Sequence, residues 1–366
     1  MMNLLKRLAV LILALALLVP CFTLAEEEPE AETETEVETE TEEYSEETAA
    51  DGEVTEKDGW HFTAKGFLTG ENPGDEYLVE DEEKGYWEYA SDNLSVKVTR
   101  SREKLKKNKR IQEYCIAEIW CTKDSAMGAI MTDPYARFGN NLVSGKRQDD
   151  PEKLMNQHPS VLTVSDDMYG LRIMETSRKK TKYDYHGVVI RYGDVKATKT
   201  RKSPQDGQKD KRPWPNLDTL AVYENGSMKA FLSDAKTAEE YLAEGAVHVF
   251  AFGPWLIRDG QINPALLKDS YYPASEPRVA IGMIEPYHYI IIAASGRPKS
   301  TYIGVKLRWL AETMQELGCT EALNLDGGAT VVMGFNNKII LQGDNNGKRN
   351  IGSLIAFGLK EESREE

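Results

Sequence analysis

The segment EALNLDGGATVVM, residues 321–333, holds one carboxylate, Asp326, between an apolar run and two glycines. Gly327 and Gly328 permit backbone angles and close approaches that a Cβ atom would prevent. The β-branched residues that follow favour a strand. The segment therefore predicts a sharp turn at the rim of a sheet, presenting a carboxylate and backbone N–H groups. An Asp-Gly-Gly sequence can equally form a plain turn, so both interpretations stay open at this point.

The longest helix signal comes directly before this turn. Between residues 303 and 318, apolar side chains recur at spacings of three and four and so form one stripe of an α-helix: Ile303, Leu307, Leu310, Met314 and Leu317. Gly318 is placed as a C-terminal stop. The sequence thus predicts a helix that leads into the strand ending at Asp326.

Alternating apolar and polar residues predict several strands. LSVKVTR (94–100) and IQEYCIAEIW (111–120) form a predicted hairpin with a basic tip, and Asn225-Gly226 predicts a second, tight hairpin. RVAIGMI and HYIIIAAS are expected to be buried strands. Many strands with few helices indicate an α+β fold: a single domain of mixed, largely antiparallel sheets flanked by a few helices.

The N-terminus has the features of an export signal. Lys6 and Arg7 precede an apolar run over residues 8–19, and a small residue follows at Ala25. This pattern predicts a secretory signal peptide over residues 1–25, and hence a secreted or cell-surface protein. Lipid attachment at Cys21 is the less favoured alternative. No later apolar run is long enough to span a bilayer.

An acidic segment follows over residues 26–58, with 17 Asp or Glu against one Lys. It has too few apolar residues to offset the entropy of ordering, so it is predicted to be a disordered spacer. The residues outside this segment and the signal carry 43 Asp or Glu against 42 Lys or Arg. The acidity of the whole chain therefore belongs to the spacer, and the folded part is nearly neutral.

Cysteines and histidines do not indicate a metal site. Cys115 and Cys121 lie six apart in a predicted strand, and Cys319 leaves an odd count after the signal, so free buried thiols are expected. The histidines are scattered without metal-ligand spacing: His61, His158, His186, His248 and His288. No cofactor or metal is predicted.

The stretch LRWLAETMQELGCTEALNLDGGATVVM, with PRVAIGMI upstream and KRNIGSLIAFG downstream, resembles the phosphodiester glycosidase family. Further pieces fit in order: SDDMYG, GVVIRYGDV, FGPWLIRDG, and ASGRPKS where the family typically has Asp-Gly-Arg. We therefore assign residues 90–362 to a phosphodiester glycosidase-like domain, preceded by an N-terminal lead-in over 59–89. The resemblance implies an exported hydrolase that cleaves sugar 1-phosphodiesters in surface or extracellular glycans.

The resemblance also implies site residues. Asp326 and Asp167 are the catalytic candidates, one as nucleophile or electrostatic stabiliser and the other as acid/base or substrate ligand, with the assignment between them open. Arginines suit the phosphate or the sugar hydroxyls because the guanidinium binds phosphate through paired hydrogen bonds; the candidates are Arg278, Arg297 and Arg349. The other substrate-binding candidates are Ser165, Tyr169, Asn324, Gly327, Gly328 and Thr330.

Several positions depart from the family pattern. Ala329 stands where the family has a glycine, Ser295 where it has an Asp, and Lys348 where it has a Glu. Asp166 replaces another glycine, and Thr330-Val331 replaces two serines. These changes motivate a second hypothesis, a catalytically weakened relative that binds glycans or acts in exopolysaccharide maturation.

Basic runs occur at residues 100–110, 178–182 and 196–202. Solvated loops are their simplest interpretation. The alternative is contact with an anionic cell-wall polymer or with the acidic segment, which salt would weaken. Predicted export and the nearly neutral folded part argue against nucleic acid as a partner.

Overall fold

The computed structural model describes residues 54–106, 109–132, 149–167, 175–177, 180–182, 187–199, 216–268, 272–297, 301–343 and 349–360. Contacts group Ala50–Glu366 into one unit, separate from residues 1–49. The predicted signal peptide and most of the acidic segment lie outside the described residues, so both stay predictions. The last residues of the predicted spacer are described, and they form a short strand.

The described strands, numbered along the chain, are β1 (Thr55–Lys57), β2 (Trp60–Phe62), β3 (Tyr77–Asp81), β4 (Tyr86–Ala90), β5 (Leu94–Lys104), β6 (Ile111–Cys121), β7 (Gly128–Met131), β8 (Leu162–Ser165), β9 (Glu175–Ser177), β10 (Lys180–Lys182), β11 (Gly187–Arg191), β12 (Asp194–Lys199), β13 (Asp218–Tyr223), β14 (Met228–Phe231), β15 (Ala246–Phe252), β16 (Trp255–Arg258), β17 (Gln261–Ile262), β18 (Arg278–Glu285), β19 (His288–Ala294), β20 (Glu321–Asn324), β21 (Val332–Phe335), β22 (Lys338–Gln342) and β23 (Ser353–Phe357). The described helices are α1 (Pro151–Gln157), α2 (Ala238–Ala243) and α3 (Leu307–Glu316), with 3₁₀ turns at Pro264–Leu267 and Gly328–Thr330.

Three sheets contain most of these strands. Nine described strands form the largest sheet, in the order β17-β16-β20-β18-β19-β6-β5-β4-β3. Two five-stranded sheets have the orders β12-β11-β15-β13-β14 and β22-β21-β8-β23-β7. The neighbouring strands in these sheets pair antiparallel. The predicted α+β class, with largely antiparallel sheets and few helices, is confirmed.

The central strands of the largest sheet are buried on both faces. In β18, Val279 and Ile281 belong to the main core cluster between the sheets, whereas Ala280 packs on the opposite face with α3. Leu310 and Met314 of α3 are fully buried against that second face. Double burial explains why RVAIGMI and HYIIIAA read as continuous apolar runs rather than alternating ones.

The helix before the Asp326 turn is shorter than predicted. It begins at Leu307 rather than Ile303. Ile303 N donates to Ile111 O over 2.8 Å, and a Cβ atom at Gly304 would lie 2.1 Å from the Glu276 carbonyl oxygen. These residues lie in a loop held closely against neighbouring segments. Because they are apolar or small, the helical pattern in the sequence extends beyond the helix itself.

The predicted hairpins form. β5 and β6 pair from Leu94–Cys121 to Lys104–Ile111, so the strands continue into the basic segment. β13 and β14 flank the Asn225-Gly226 turn, and Gly226 has a φ of 77°. The segment predicted as a lead-in, residues 59–89, contributes β3 and β4 to the nine-stranded sheet.

Cys115, Cys121 and Cys319 are free and buried, as predicted. Burial raises the pKa of each thiol to about 12. These thiols are therefore neutral packing groups at physiological pH. Of the residues that the structure describes, no helix is long and apolar enough to cross a membrane.

Candidate functional site

The turn after β20 is held between two neighbouring segments. Asp326 N donates to Asp166 O over 3.0 Å, and Gly328 N donates to Pro277 O over 2.9 Å. A Cβ atom at Gly327 would lie 2.5 Å from the same Pro277 oxygen, so no side chain fits there. The tight turn expected from the sequence is present. The Gly328 N–H is engaged by the Pro277 carbonyl oxygen, and the expectation that Gly327 and Gly328 contact substrate stays a prediction.

Polar atoms without partners cluster at this turn. Three are buried and have no hydrogen-bond partner among the described residues: Arg278 Nε, Asn324 Oδ1 and Thr330 Oγ1. Asn324 and Thr330 flank Asp326 in the chain, and the Arg278 Cα lies 3.7 Å from where a Gly327 Cβ would be. An unsatisfied buried polar group costs about 1–3 kcal/mol. Such a cluster beside Asp326, which is 7% exposed, fits a site whose partners come from a ligand.

Two predicted arginines border the turn from one side. A Cβ atom at Gly328 would lie 3.4 Å from Arg297 Nη2, so the guanidinium covers this glycine. Arg297 Nη1 donates to Glu276 Oε2 over 3.3 Å. Burial lowers the pKa of Arg278, while the charges of Glu276 and Tyr272 raise it. Both arginines therefore interact electrostatically with Glu276, and the Arg297 guanidinium lies against Gly328 of the Asp326 turn.

Asp167 is part of a buried ion cluster. Arg191 Nη2 donates to Asp167 Oδ1 over 2.5 Å and to Asp166 Oδ2 over 3.1 Å. Ala251 N donates to Asp167 Oδ2 over 2.5 Å, and Ser353 Oγ donates to Asp166 Oδ2 over 2.5 Å. Asp167 and Arg191 are fully buried. This geometry favours a role for Asp167 in holding Arg191, and its predicted part in catalysis or substrate binding stays a prediction.

Asp166 links that cluster to the turn. Its side chain accepts from Arg191 and Ser353, and its carbonyl oxygen accepts from Asp326 N. The buried ions therefore help to fix the backbone position of Asp326 through the Asp166 carbonyl oxygen. Asp166 replaces a glycine of the family pattern, and the cluster gives its side chain a structural purpose.

The remaining predicted residues are less closely grouped. Ser165 is fully buried, and its Oγ accepts from Val332 N over 3.3 Å. Tyr169 lies outside the described residues. Arg349 is exposed, and the described contacts do not join it to the turn of Asp326. The structure thus brings together Asn324, Asp326, Gly327, Gly328, Thr330, Arg278 and Arg297.

Comparison with known proteins relates the part of the chain around the Asp326 turn to a family. Residues 180–358 match the family model described as phosphodiester glycosidase. This part of the chain is therefore similar to the phosphodiester glycosidase family. That range includes the Asp326 turn and both arginines that border it. The resemblance seen in the sequence is confirmed, and the match supports a glycosidase-type function.

A solved structure has the same fold. The catalytic domain of zebrafish N-acetylglucosamine-1-phosphodiester alpha-N-acetylglucosaminidase, auto-inhibited by its pro-peptide, superposes with a TM-score of 0.52 at 14% identity, covering 79% of this chain and 90% of that one. A curated relative, the SPbeta prophage-derived uncharacterized protein YomE of Bacillus subtilis (strain 168), is 26% identical over 132 residues, 36% of this chain. The match spans 20% of the length of YomE.

The sequence analysis did not identify several residues that the structure places around the candidate site. Arg191 was not among the predicted site residues. It ends the apolar run GVVI, and an Arg in that position could have indicated a buried charge. Glu276 and Gly343 were also missed. A Cβ atom at Gly343 would lie 2.2 Å from Gly328 O, so this glycine is needed beside the turn.

A separate cavity of about 600 Å³ lies elsewhere in the domain, lined by residues that include Met127, Tyr192, Val222, His248 and Tyr289. None of the predicted site residues lines it. The chemistry is therefore assigned to the turn rather than to this cavity. Among the described residues, no group of three or more His, Cys, Asp or Glu side chains could hold a metal ion.

Proposed function

We propose that the chain is an exported hydrolase that cleaves sugar 1-phosphodiesters in surface or extracellular glycans. One observation carries this proposal: Asp326 lies in a turn that the Arg297 guanidinium covers, close to buried polar atoms that have no described partner, Arg278 Nε, Asn324 Oδ1 and Thr330 Oγ1. A carboxylate near arginine side chains suits a substrate whose anomeric carbon gains positive charge while its phosphate group leaves.

The reaction breaks the bond between the anomeric carbon and a phosphate oxygen. The phosphate monoester leaves with the electron pair, and water supplies the hydroxyl group of the free sugar. Asp326 would stabilise the oxocarbenium-like carbon or attack it directly, since it is the carboxylate at the turn. A phosphodiester is already a good leaving group, so the reaction places little demand on a general acid. The binding of Asp167 to Arg191 is therefore compatible with catalysis.

Arg297 is the best-placed group for the phosphate. Its guanidinium lies over Gly328 and is 37% exposed, so it can exchange its contact with Glu276 for a contact with substrate. The planar fork of an arginine matches two phosphate oxygens at once. Asn324 Oδ1 can accept a hydrogen bond from a sugar hydroxyl, and Thr330 Oγ1 can donate or accept one.

Export rests on the N-terminal sequence. Residues 1–25 have the charged start, apolar run and small residue of a secretory signal, and the acidic segment over 26–58 would then be a spacer at the cell surface. Fractionation of cells that express the full chain tests this part. Recovery of the intact, uncleaved chain from the cytoplasm alone would contradict it.

Turnover is tested with the purified protein and the methyl ester of N-acetylglucosamine 1-phosphate, because the zebrafish enzyme is named for that sugar. Corresponding esters of other sugars extend the panel. Release of free sugar is the expected result, and Asp326→Asn should lower kcat/KM by about 10³-fold. Asp259→Asn is the matched control, because Asp259 is a surface residue paired with Lys229. Equal activity of the wild type and Asp326→Asn would exclude Asp326 as a catalytic residue.

A non-catalytic glycan-binding protein is the second candidate. It is favoured by the ion pair that engages Asp167 and by Ser295 at the position where the family has Asp. This candidate predicts binding of the sugar phosphodiester to the wild type without any release of free sugar. Detection of turnover that depends on Asp326 would eliminate it.

A further inference from the structure

The basic tip of the β5–β6 hairpin lies beside the candidate site. This tip, here Lys104, Lys106 and Lys109, is exposed, and no ion pair among the described residues engages these three side chains. Backbone hydrogen bonds join the described residues on either side of the tip, since Leu105 N donates to Arg110 O and Lys109 N to Leu105 O. The hairpin therefore presents lysine charges on a defined ribbon.

Direct contacts connect the hairpin to the arginine of the site. Arg110 Nη2 donates to the carbonyl oxygens of Arg297 and Tyr302, the latter over 2.9 Å. Ile111 N donates to Thr301 O over 3.0 Å. Lys104 is the cross-strand partner of Ile111, and such partners have Cα atoms about 5 Å apart. The basic tip therefore lies next to the loop that carries Arg297.

Arg297 in turn covers Gly328, two residues from Asp326. Two contacts, Arg110 with Arg297 and Arg297 with Gly328, therefore separate the hairpin from the turn. Exposed charges interact over about 10 Å at 0.1 M salt, so a chain bound at Arg297 that continues along β5 and β6 comes within range of the lysines. The described hydrogen bonds and ion pairs do not join these lysines to the Asp326 turn, so we expect a single sugar phosphate held there to make no contact with them.

We propose that the basic tip is an extended subsite for a polyanionic substrate, a glycan whose units are joined by successive phosphodiesters. This inference rests on the proposed function and specifies the class of substrate. Lysine ammonium groups bind phosphates as point charges, without the geometric demands of an arginine fork. The tip therefore holds neighbouring phosphates of the polymer while one phosphodiester occupies the Asp326 turn.

The test compares two substrates and two charge variants. The substrates are a hexamer of N-acetylglucosamine units joined by phosphodiesters and the single methyl ester of N-acetylglucosamine 1-phosphate. The hairpin variant is Lys104→Gln/Lys106→Gln/Lys109→Gln. The control variant loses the same charge elsewhere, at exposed lysines outside the hairpin tip: Lys65→Gln/Lys123→Gln/Lys338→Gln.

The hairpin variant should hydrolyse the single ester like the wild type and should lose about tenfold in kcat/KM for the hexamer, through KM. The control variant should match the wild type on both substrates. Added salt should lower the activity of the wild type on the hexamer towards that of the hairpin variant. Equal kcat/KM of wild type and hairpin variant on the hexamer at low salt would overturn the proposal.

Binding separates this inference from the proposed function. If the wild type releases no sugar from either substrate, the proposed function fails, but fluorescence anisotropy with a labelled hexamer still compares the variants. Weaker binding by the hairpin variant than by the control supports the subsite. If the acidic segment of residues 26–58 occupied the tip instead, all three proteins would bind the hexamer equally, and that result also overturns the proposal.

Discussion

Ser295 Oγ donates a hydrogen bond to Glu113 Oε2 over 2.8 Å, and the Ser295 N–H donates to the Glu113 carbonyl oxygen over 3.0 Å. The family pattern has Asp at position 295. In this chain, β6 places a carboxylate one hydrogen bond away from that position. Arg102 Nε binds the same Glu113 carboxylate over 2.5 Å. The pair therefore fixes the start of the loop that leads to Arg297.

Restoring the family residue at this position should harm the protein. Ser295→Asp places a second carboxylate within hydrogen-bond distance of Glu113, and the repulsion should reduce the free energy of unfolding by about 1–2 kcal/mol. Ser295→Asp combined with Glu113→Gln should recover most of that loss. Urea denaturation of the single and double variants measures the coupling as a double-mutant cycle. A single variant as stable as the wild type would show that the two carboxyl groups do not meet.

The ion cluster predicts different consequences for the two candidate aspartates. Asp167→Asn leaves the fully buried Arg191 with a weakened partner, so the free energy of unfolding should fall by about 3 kcal/mol. Asp326→Asn should lose turnover and unfold closer to the wild-type urea midpoint than Asp167→Asn, because Asp326 is tied to the ion cluster through its backbone N–H, which the substitution keeps. Asp259→Asn is the surface control, with a change of about 0.5 kcal/mol or less.

Urea denaturation and the turnover assay together decide the role of Asp167. If Asp167→Asn retains wild-type stability and loses turnover, a structural role for Asp167 is wrong, and Asp167 is again the candidate for the acid/base. Loss of stability with residual turnover in the folded fraction supports the ion cluster as its purpose.

The parts of the fold that the sequence predicted are those with local causes. The Asn225-Gly226 turn forms with a Gly226 φ of 77°, because glycine readily adopts the left-handed region that a tight hairpin needs. The Asp326 turn follows from Gly327, whose missing side chain allows the Pro277 oxygen to approach. In each case, neighbouring residues specify the conformation, and the pattern is visible in one short stretch.

The parts that it did not predict depend on residues far apart in the chain. Ser353 and Asp166 are 187 positions apart and meet through their side chains. Nothing in the local pattern around Asp167 indicates that Arg191 will neutralise it. The start of α3 was misplaced for a related reason, because the Ile303 N–H bonds to Ile111 of β6, a partner that the local pattern does not reveal.

Gly327 offers a direct test of how tightly the turn is packed. Gly327→Ala places a Cβ atom 2.5 Å from the Pro277 oxygen, so the backbone must shift and Asp326 must move with it. We expect a loss of about 1–3 kcal/mol in the free energy of unfolding, and a loss of turnover in the folded fraction. Gly74→Ala is the matched control, since its Cβ would lie 3.5 Å from the Trp60 ring, an ordinary contact. Wild-type turnover in Gly327→Ala would contradict the close packing.

His248 predicts how stability changes with pH. It is buried in β15, where its Nδ1 accepts from Tyr192 N over 3.5 Å and its Nε2 donates to Met127 O over 3.2 Å. Burial and, to a smaller degree, the positive charge of Arg191 lower its pKa from 6.5 to about 3. Between these values, the unfolded state binds a proton that the folded state does not. The free energy of unfolding contributed by His248 is therefore present above pH 6.5 and falls as the pH is lowered towards 3.

At pH 5 this loss should reach about 2 kcal/mol relative to pH 7. His248→Gln keeps a polar side chain without an ionisable group, so its urea midpoint should change less between pH 7 and pH 5 than that of the wild type. His61→Gln removes a histidine that is partly exposed and should retain the wild-type change. If the folded chain excludes the proton, His248 must make stability depend on pH between 7 and 5. The same pH dependence in wild type and His248→Gln would therefore mean that other groups control acid unfolding.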